Sequence, residues 1–174
     1  SVGATTVNKV CGSGMKATMM AAEAIIAGTS DIVVAGGMES MTNAPYMLTK
    51  HRSGARLGHD SLNDSMFLDG LEDAYEPGRA MGSFAEETCT EYQFTREAQD
   101  EYAIRSLARA NAAIASGAFD REIVAVEIVG RKGTETVSID EQPGKANPEK
   151  IPTLRPAFAK DGTITAANAS SISD

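Results

Sequence analysis

Apolar positions are arranged in three different ways along this chain, and each arrangement predicts a different kind of element. Up to about Pro45 they are dense. Thr5-Thr6-Val7-Asn8-Lys9-Val10 reads as a short strand that ends at Cys11-Gly12-Ser13-Gly14. Residues 13–27 then predict a helix stopped by Gly28. Its Met15, Met19, Met20, Ile25 and Ile26, with the alanines between them, cover nearly the whole circumference, so the helix is expected inside a protein rather than on its surface. Asp31-Ile32-Val33-Val34-Ala35-Gly36-Gly37 is a continuous apolar run, as in a strand of a sheet covered on both faces. Strand, helix and strand in that order predict a βαβ unit.

From Met41 to about Gly82 the pattern dissolves into loop, broken by Asn43-Ala44-Pro45, Ser53-Gly54-Ala55-Arg56 and Pro77-Gly78. Periodicity returns with a short amphipathic helix over 83–92. Thr95 is placed to cap a longer helix, with Glu97 in its first turn, a stripe of Ala103, Leu107, Ala110 and Ile114, and Gly117 at its end. Residues 123–129 and 134–139 read as two strands of a hairpin joined by Gly130-Arg131-Lys132-Gly133. Residues 143–156 read as an extended loop.

Composition narrows the class. With 174 residues, 42% of them hydrophobic and 23% charged, the chain has room for one domain with a core, or one plus an appendage, and is not of disordered type. No apolar run approaches a membrane span, and a net charge of −8 argues against a nucleic-acid binder. Twelve of the acids, against two arginines, lie between Asp60 and Glu101, which reads as a solvated face. Two cysteines and two histidines cannot build a disulfide scaffold or a four-ligand zinc site, so no metal is expected and a reduced, cytoplasmic setting is. The chain opens at Ser1 without an initiator Met or a cleavable leader, and closes on Ser171-Ile172-Ser173-Asp174 without a stop signal. Both ends are expected to be cuts in something longer.

Cys11 is the sharpest chemical feature. Between a strand and an apolar helix, and followed by Gly-Ser-Gly, it has the setting of a nucleophile presented at a helix N-terminus. The helix dipole favours the thiolate there by about 1–2 kcal/mol, too little to activate the thiol alone, so a base such as His is required. Against this, a cysteine beside an apolar helix is as a rule a packed hydrophobe; the flanking glycines oppose that reading, and spacing alone leaves both open. His51 and His59 lie in a polar, glycine-rich loop, neither on a predicted element, and read as solvated. Cys89 is expected to be packed and inert. Glu39 reads as locally hydrogen-bonded rather than as a general base. Gly36-Gly37-Met38-Glu39 is too loose for a dinucleotide fingerprint.

Val7-Asn8-Lys9-Val10-Cys11-Gly12-Ser13-Gly14-Met15-Lys16-Ala17 resembles the active-site segment of the thiolase family, acetyl-CoA acetyltransferase type. Val34-Ala35-Gly36-Gly37-Met38-Glu39-Ser40-Met41 is similar to the family's next strand and turn, and Met81-Gly82, Leu154-Arg155-Pro156-Ala157-Phe158 and Asn168-Ala169-Ser170 follow in the family's order. The resemblance runs the length of the chain and implies a little under half of such an enzyme. It implies an α/β fold, a layered α-β-α-β-α core fragment with the Cys11 helix between layers and an inserted α/β loop domain. Residues 1–42 would be the second half of the N-terminal domain, 43–160 the loop domain with a tetramerisation-type loop and the coenzyme A region, and 161–174 the return to the core.

The same resemblance implies acyl transfer between thioesters, with acetyl-CoA, 3-oxoacyl-CoA and CoA as partners, no permanently bound cofactor, a homodimer or homotetramer, and neither nucleic acid nor membrane. Cys11 would carry the acyl group and its N–H would serve an oxyanion hole. Leu71, Met81 and Phe158 would line the pantetheine and acyl tunnel; Ala157, Ala166 and Ala169 would border it, and Ser170 would hydrogen-bond the pantetheine. Residues 131–160 hold six cations and four acids, a local +2 that suits a polyanionic nucleotide tail. Ala80 departs from the family, many of whose short-chain members have His before the Met-Gly pair, which implies a broader 3-oxoacyl range. The family's base histidine, in a Gly-His-Pro segment, and second cysteine, in a Cys-x-Gly-Gly-Gly segment, are expected beyond Asp174. A related condensing enzyme of the ketoacyl-synthase kind, a cysteine hydrolase and a non-catalytic protein of the same fold are the alternatives; Asn168-Ala169-Ser170 and the hairpin count against the first two.

Overall fold

The computed structural model describes residues 2–173. Its contacts divide into two units, one comprising the chain up to Met81 together with the segment from Ile172, the other Gly82–Ser171.

In the first unit the helix expected around residue 13 forms as α1 (Ser13–Ile26), with Ala27 as its C-cap just before Gly28. The strands expected on either side of it do not form. Residues 5–8 and 32–37 carry no regular secondary structure and Val10 sits in a turn; no described strand lies beside either segment, and a strand without a neighbour has no ladder for its N–H and C=O groups. The βαβ unit is therefore not closed within these residues. Nor is α1 interior: none of its residues is buried, and Met15 and Ile26 are 73% and 85% exposed. The apolar circumference is present, yet no element among the described residues packs on it.

The stretch expected to be plain loop carries short structure. β1 (Tyr46–Met47) pairs antiparallel with β2 (Asn63–Asp64), a 3-10 turn spans His51–Ser53, and a π-helical turn spans Phe67–Leu71. Glu72 and Ala80 bridge the loop that follows, and Asp73 N–H donates to Arg79 C=O at 2.9 Å. Such elements are too short for periodicity to register.

In the second unit the reading holds more closely. α2 runs Met81–Glu91, two residues earlier than expected at its start. α3 (Arg96–Ser116) is capped by Thr95, whose Oγ1 accepts from Ala98 N–H at 3.2 Å, and ends at Gly117 in the left-handed region, φ 66°. The hairpin is β3 (Val126–Gly130) with β4 (Gly133–Val137) in the register Val126 opposite Val137. The stretch expected as an extended loop instead holds a short helix, α4 (Glu141–Lys145), and a 3-10 helix (Pro148–Thr153). Asp140 caps the first, accepting from Gln142 N–H, and Asn147 the second, accepting from Glu149 N–H. On α3 the predicted stripe is half-buried at Ala103, Leu107 and Ala110, while Ile114 is exposed; the one buried residue of the helix is Asp100, on the same face. All four buried residues of the described chain, Asp100, Ile151, Ile164 and Thr165, belong to this unit.

Candidate active site

Cys11 lies in the tight turn that feeds α1, and its thiol is free and exposed. Two side chains, one backbone bond and one strained residue shape that turn. Asn8 Oδ1 accepts from Val10 N–H at 2.9 Å. Ser13 Oγ accepts from Lys9 N–H at 2.8 Å and donates to Val10 C=O at 2.7 Å, and Gly12 N–H donates to Lys9 C=O at 3.0 Å. Val10 is thereby held at φ 49°, a region a β-branched residue enters at a cost of about 1–3 kcal/mol. The helix begins with Gly12 as N-cap and no side-chain cap; Ser13 N–H donates to Val10 C=O at 3.2 Å, and no side chain caps the amides that follow. Strain and an open helix end at a single cysteine are the features of a presented nucleophile. Asn8 and Ser13 stood in the recognised segment, but their shaping role was not read from it; the signal was there, since both types bond to nearby backbone at turns and helix starts.

No base accompanies the thiol in the described part of this unit as far as its histidines go. His51, expected off any element, opens the 3-10 turn, and its Nδ1 faces Asp60 Oδ2 at 3.1 Å. Leu71 is the last residue of the π-helical turn and is half-buried; Met81, the first of α2, is 41% exposed.

The remaining five predicted substrate residues are brought together in the second unit. Ala157 and Phe158 lie on one segment, Ala166, Ala169 and Ser170 on another, and Ala157 N–H ties them by donating to Ile164 C=O at 2.8 Å. Ala169 N–H donates to Thr165 C=O at 3.0 Å. The Phe158 ring seats directly against Gly82, where a Cβ would overlap it, so the Met-Gly pair is a pairing of an exposed side chain with a necessary gap.

A polar lattice that the sequence did not reveal supports these two segments. The Glu86 carboxylate on α2 accepts from Thr163 N–H (2.9 and 3.0 Å), Ile164 N–H (2.9 Å) and the Thr163 hydroxyl (3.2 Å). Burial pushes its pKa up, but the bonds from the Thr163 and Ile164 amides and the Thr163 hydroxyl outweigh that and hold it below the ordinary 4.5. A lowered value in the folded state means stabilisation that is complete above the unfolded value and lost as pH falls through the folded one. Glu86→Gln is therefore expected to lower the unfolding free energy of the full-length protein by about 2 kcal/mol at neutral pH. In denaturant titrations the gap from the unsubstituted protein should narrow on acidification below 4.5; a gap independent of pH would contradict this.

The profile of the family described as thiolase, N-terminal domain, matches residues 1–174. This chain belongs to the thiolase family. It is 52% identical to acetyl-CoA acetyltransferase 2 of Arabidopsis thaliana over 177 aligned residues, covering 100% of this chain and 44% of that protein. It is 54% identical to the acetyl-CoA acetyltransferase of Escherichia coli, covering 97% and 43%. Among solved structures, the Bacillus anthracis acetyl-CoA acetyltransferase superposes with a TM-score of 0.87 at 44% identity, covering 95% of this chain and 42% of that one. A thiolase of Ascaris suum in complex with coenzyme A superposes with a TM-score of 0.83 at 46% identity. The α/β thiolase-like class expected from the sequence stands. The thiolase chain spans less than half the length of these relatives, and none of its described helices is long and apolar enough to cross a membrane.

Proposed function

We propose that this thiolase segment supplies the acyl-carrying nucleophile of a longer enzyme that interconverts acetyl-CoA plus acyl-CoA with 3-oxoacyl-CoA plus CoA. The observation that carries the reading is the exposed Cys11 thiol beside the uncapped start of α1 in a chain of this family. In condensation the Cys11 thiolate attacks the thioester carbonyl of acyl-CoA and the bond to the CoA sulfur breaks, the sulfur leaving with the proton that the Cys11 thiol gave up. In cleavage it attacks the 3-oxo carbon of 3-oxoacyl-CoA and the bond between C2 and C3 breaks, its electron pair leaving on the acetyl-CoA carbon, which takes up that proton. In both, the tetrahedral oxyanion is met by backbone N–H groups, Cys11 N–H among them. The acyl group then passes to a CoA thiol in cleavage, or to the carbanion of acetyl-CoA in condensation. Removing a proton from the acetyl-CoA methyl group to form that carbanion needs a base that these residues do not supply, since their two histidines stand in no Gly-His-Pro segment and Cys89 in no Cys-x-Gly-Gly-Gly segment.

Leu71, Met81 and Phe158 line the pantetheine and acyl path in this reading; Ala157, Ala166 and Ala169 border it, and Ser170 hydrogen-bonds the pantetheine. Residues 1–42 and 161–174 belong to the core domain and 43–160 to the loop domain, whose loop around residues 45–64 joins dimers into a homotetramer. Ala80 gives no polar group to the acyl chain, which broadens the 3-oxoacyl range, and the reading includes a cytoplasmic enzyme of fatty acid metabolism. The supports are the named activity of the relatives and the CoA complex of the Ascaris suum thiolase.

Incubating the full-length protein with acetyl-CoA should add about 42 Da to Cys11, located by peptide mass spectrometry, and free CoA should discharge it. An adduct released only as free acid would point to a hydrolase, and none at all to a non-catalytic relative.

A further inference from the structure

The second unit has a polar centre: Asp100 and Thr165 are two of its four buried residues, 4% and 0% exposed. Asp100 takes no part in the acyl chemistry above, yet it is the carboxylate on which two substrate segments hang. Its Oδ2 accepts from Arg96 Nε at 2.6 Å and its Oδ1 from Asn168 Nδ2 at 3.1 Å. Asn168 Nδ2 also donates to Thr163 C=O at 3.0 Å, while its Oδ1 accepts from Thr165 N–H at 2.7 Å. A carboxylate and a carbonyl on one side, and an N–H on the other, admit a single orientation of the Asn168 carboxamide. Turned over, its NH₂ would meet the Thr165 N–H and its oxygen the Asp100 carboxylate.

The same face of α3 reaches further. Gln99 Nε2 donates to Thr163 Oγ1 at 3.0 Å, and Arg96 Nη2 donates to the carbonyls of Ile151 at 3.1 Å and Leu154 at 2.9 Å. Positions 96, 99 and 100 are neighbours on a helix surface. One turn of α3 thus holds the segment that leads into Ala157 and Phe158 and the segment that carries Ala166, Ala169 and Ser170.

We propose that Asp100, with Gln99 beside it, is a positioning residue for thioester binding: by orienting the Asn168 carboxamide it sets the backbone from which Ala166, Ala169 and Ser170 meet the pantetheine. This rests on the substrate role given to those three residues under the proposed function. In the full-length protein, Asp100→Asn keeps the side chain's size but offers a mixed donor and acceptor where Arg96 and Asn168 both need acceptors. The Kd for CoA and the KM for acetyl-CoA should each rise about tenfold, with kcat within about threefold, because the bonds made at the sulfur are untouched. Alkylation of Cys11 by iodoacetamide, which needs no pantetheine wall, should keep its rate.

A purely structural Asp100 would lower the unfolding midpoint and leave Kd and KM where they were, and that result overturns the proposal, as does a fall in kcat at constant KM. Should Asp100→Asn fail to fold, Gln99→Ala removes from a half-buried position the bond to Thr163 Oγ1, the one that reaches the substrate segment, together with a bond to Phe94 C=O at its own helix start. It should raise the Kd for CoA about two- to threefold, roughly the worth of one neutral bond in a wall; an unchanged Kd overturns the proposal. Titrating the unsubstituted protein separates the two levels. If it binds CoA and the variants bind equally well, the positioning role alone falls; if it binds none, the proposed function falls with it.

Discussion

Cys11→Ala is expected to reduce acyl exchange by the full-length protein at least about ten-thousand-fold, since a covalent route loses its only carrier. CoA binding should survive, because on the proposed reading the pantetheine is met by residues other than Cys11. Cys11→Ser should fare little better: a hydroxyl is a far weaker nucleophile than a thiol, and transfer from sulfur to oxygen is not the balanced exchange that transfer between two sulfurs is. The geometry of the turn does not depend on the sulfur. Asn8 and Ser13 hold Lys9 and Val10 through backbone groups, so both variants should keep their α1 start and unfold near the unsubstituted midpoint. Exchange of labelled CoA into acetyl-CoA measures the first effect and a thermal melt the second. Exchange within tenfold of the unsubstituted protein would remove Cys11 from the mechanism.

The 174-residue polypeptide made by itself is expected to show no turnover, and slow amide exchange only within Gly82–Ser171. Every buried residue among those described lies there, and the polar lattice of Glu86, Asp100 and Asn168 closes there too. In the other unit α1 has no buried residue, and no described strand pairs with the segments on either side of it. Val34 is 97% exposed and Ile32 87%. An isolated helix of that length without a packed face is marginal in water, so its amides should exchange within seconds to minutes. Uncovered strand edges and apolar residues together favour association at high concentration. Hydrogen exchange read by mass spectrometry, with an exchange assay on the same sample, checks both. Robust turnover, or strong protection across α1, would show that these residues suffice for a folded site.

Local chemistry made much of this legible in advance. Thr95 and Gly117 mark the ends of α3 because a hydroxyl at a helix start and a left-handed residue at its end satisfy orphan backbone groups wherever they occur. The hairpin was visible because its strands are each other's partners, eleven residues apart in sequence at most. α4 and the 3-10 helix beside it were missed although Asp140 and Asn147 announce them, since elements of five or six residues carry no periodicity. Cys11 could be singled out from its glycines and the apolar helix after it, and the shaping bonds of Asn8 and Ser13 span only a few residues.

The lattice behind the substrate segments could not be read. Glu86 lies 77 and 78 positions from Thr163 and Ile164, and Asp100 lies 68 from Asn168. Before folding, each is one more acid in a stretch that looks like a solvated face. Likewise the short strand pattern at residues 5–10 and the apolar run at 31–37 called for partners, but did not say which. The sequence by itself determined the caps, the hairpin, the helix after Cys11 and the kinship with thiolases, all of which are written in residues near one another or in their order. Only the tertiary structure decided which acids became acceptors for buried amides, because hydrogen-bond partners brought from distant parts of a chain exist only once the chain has folded between them.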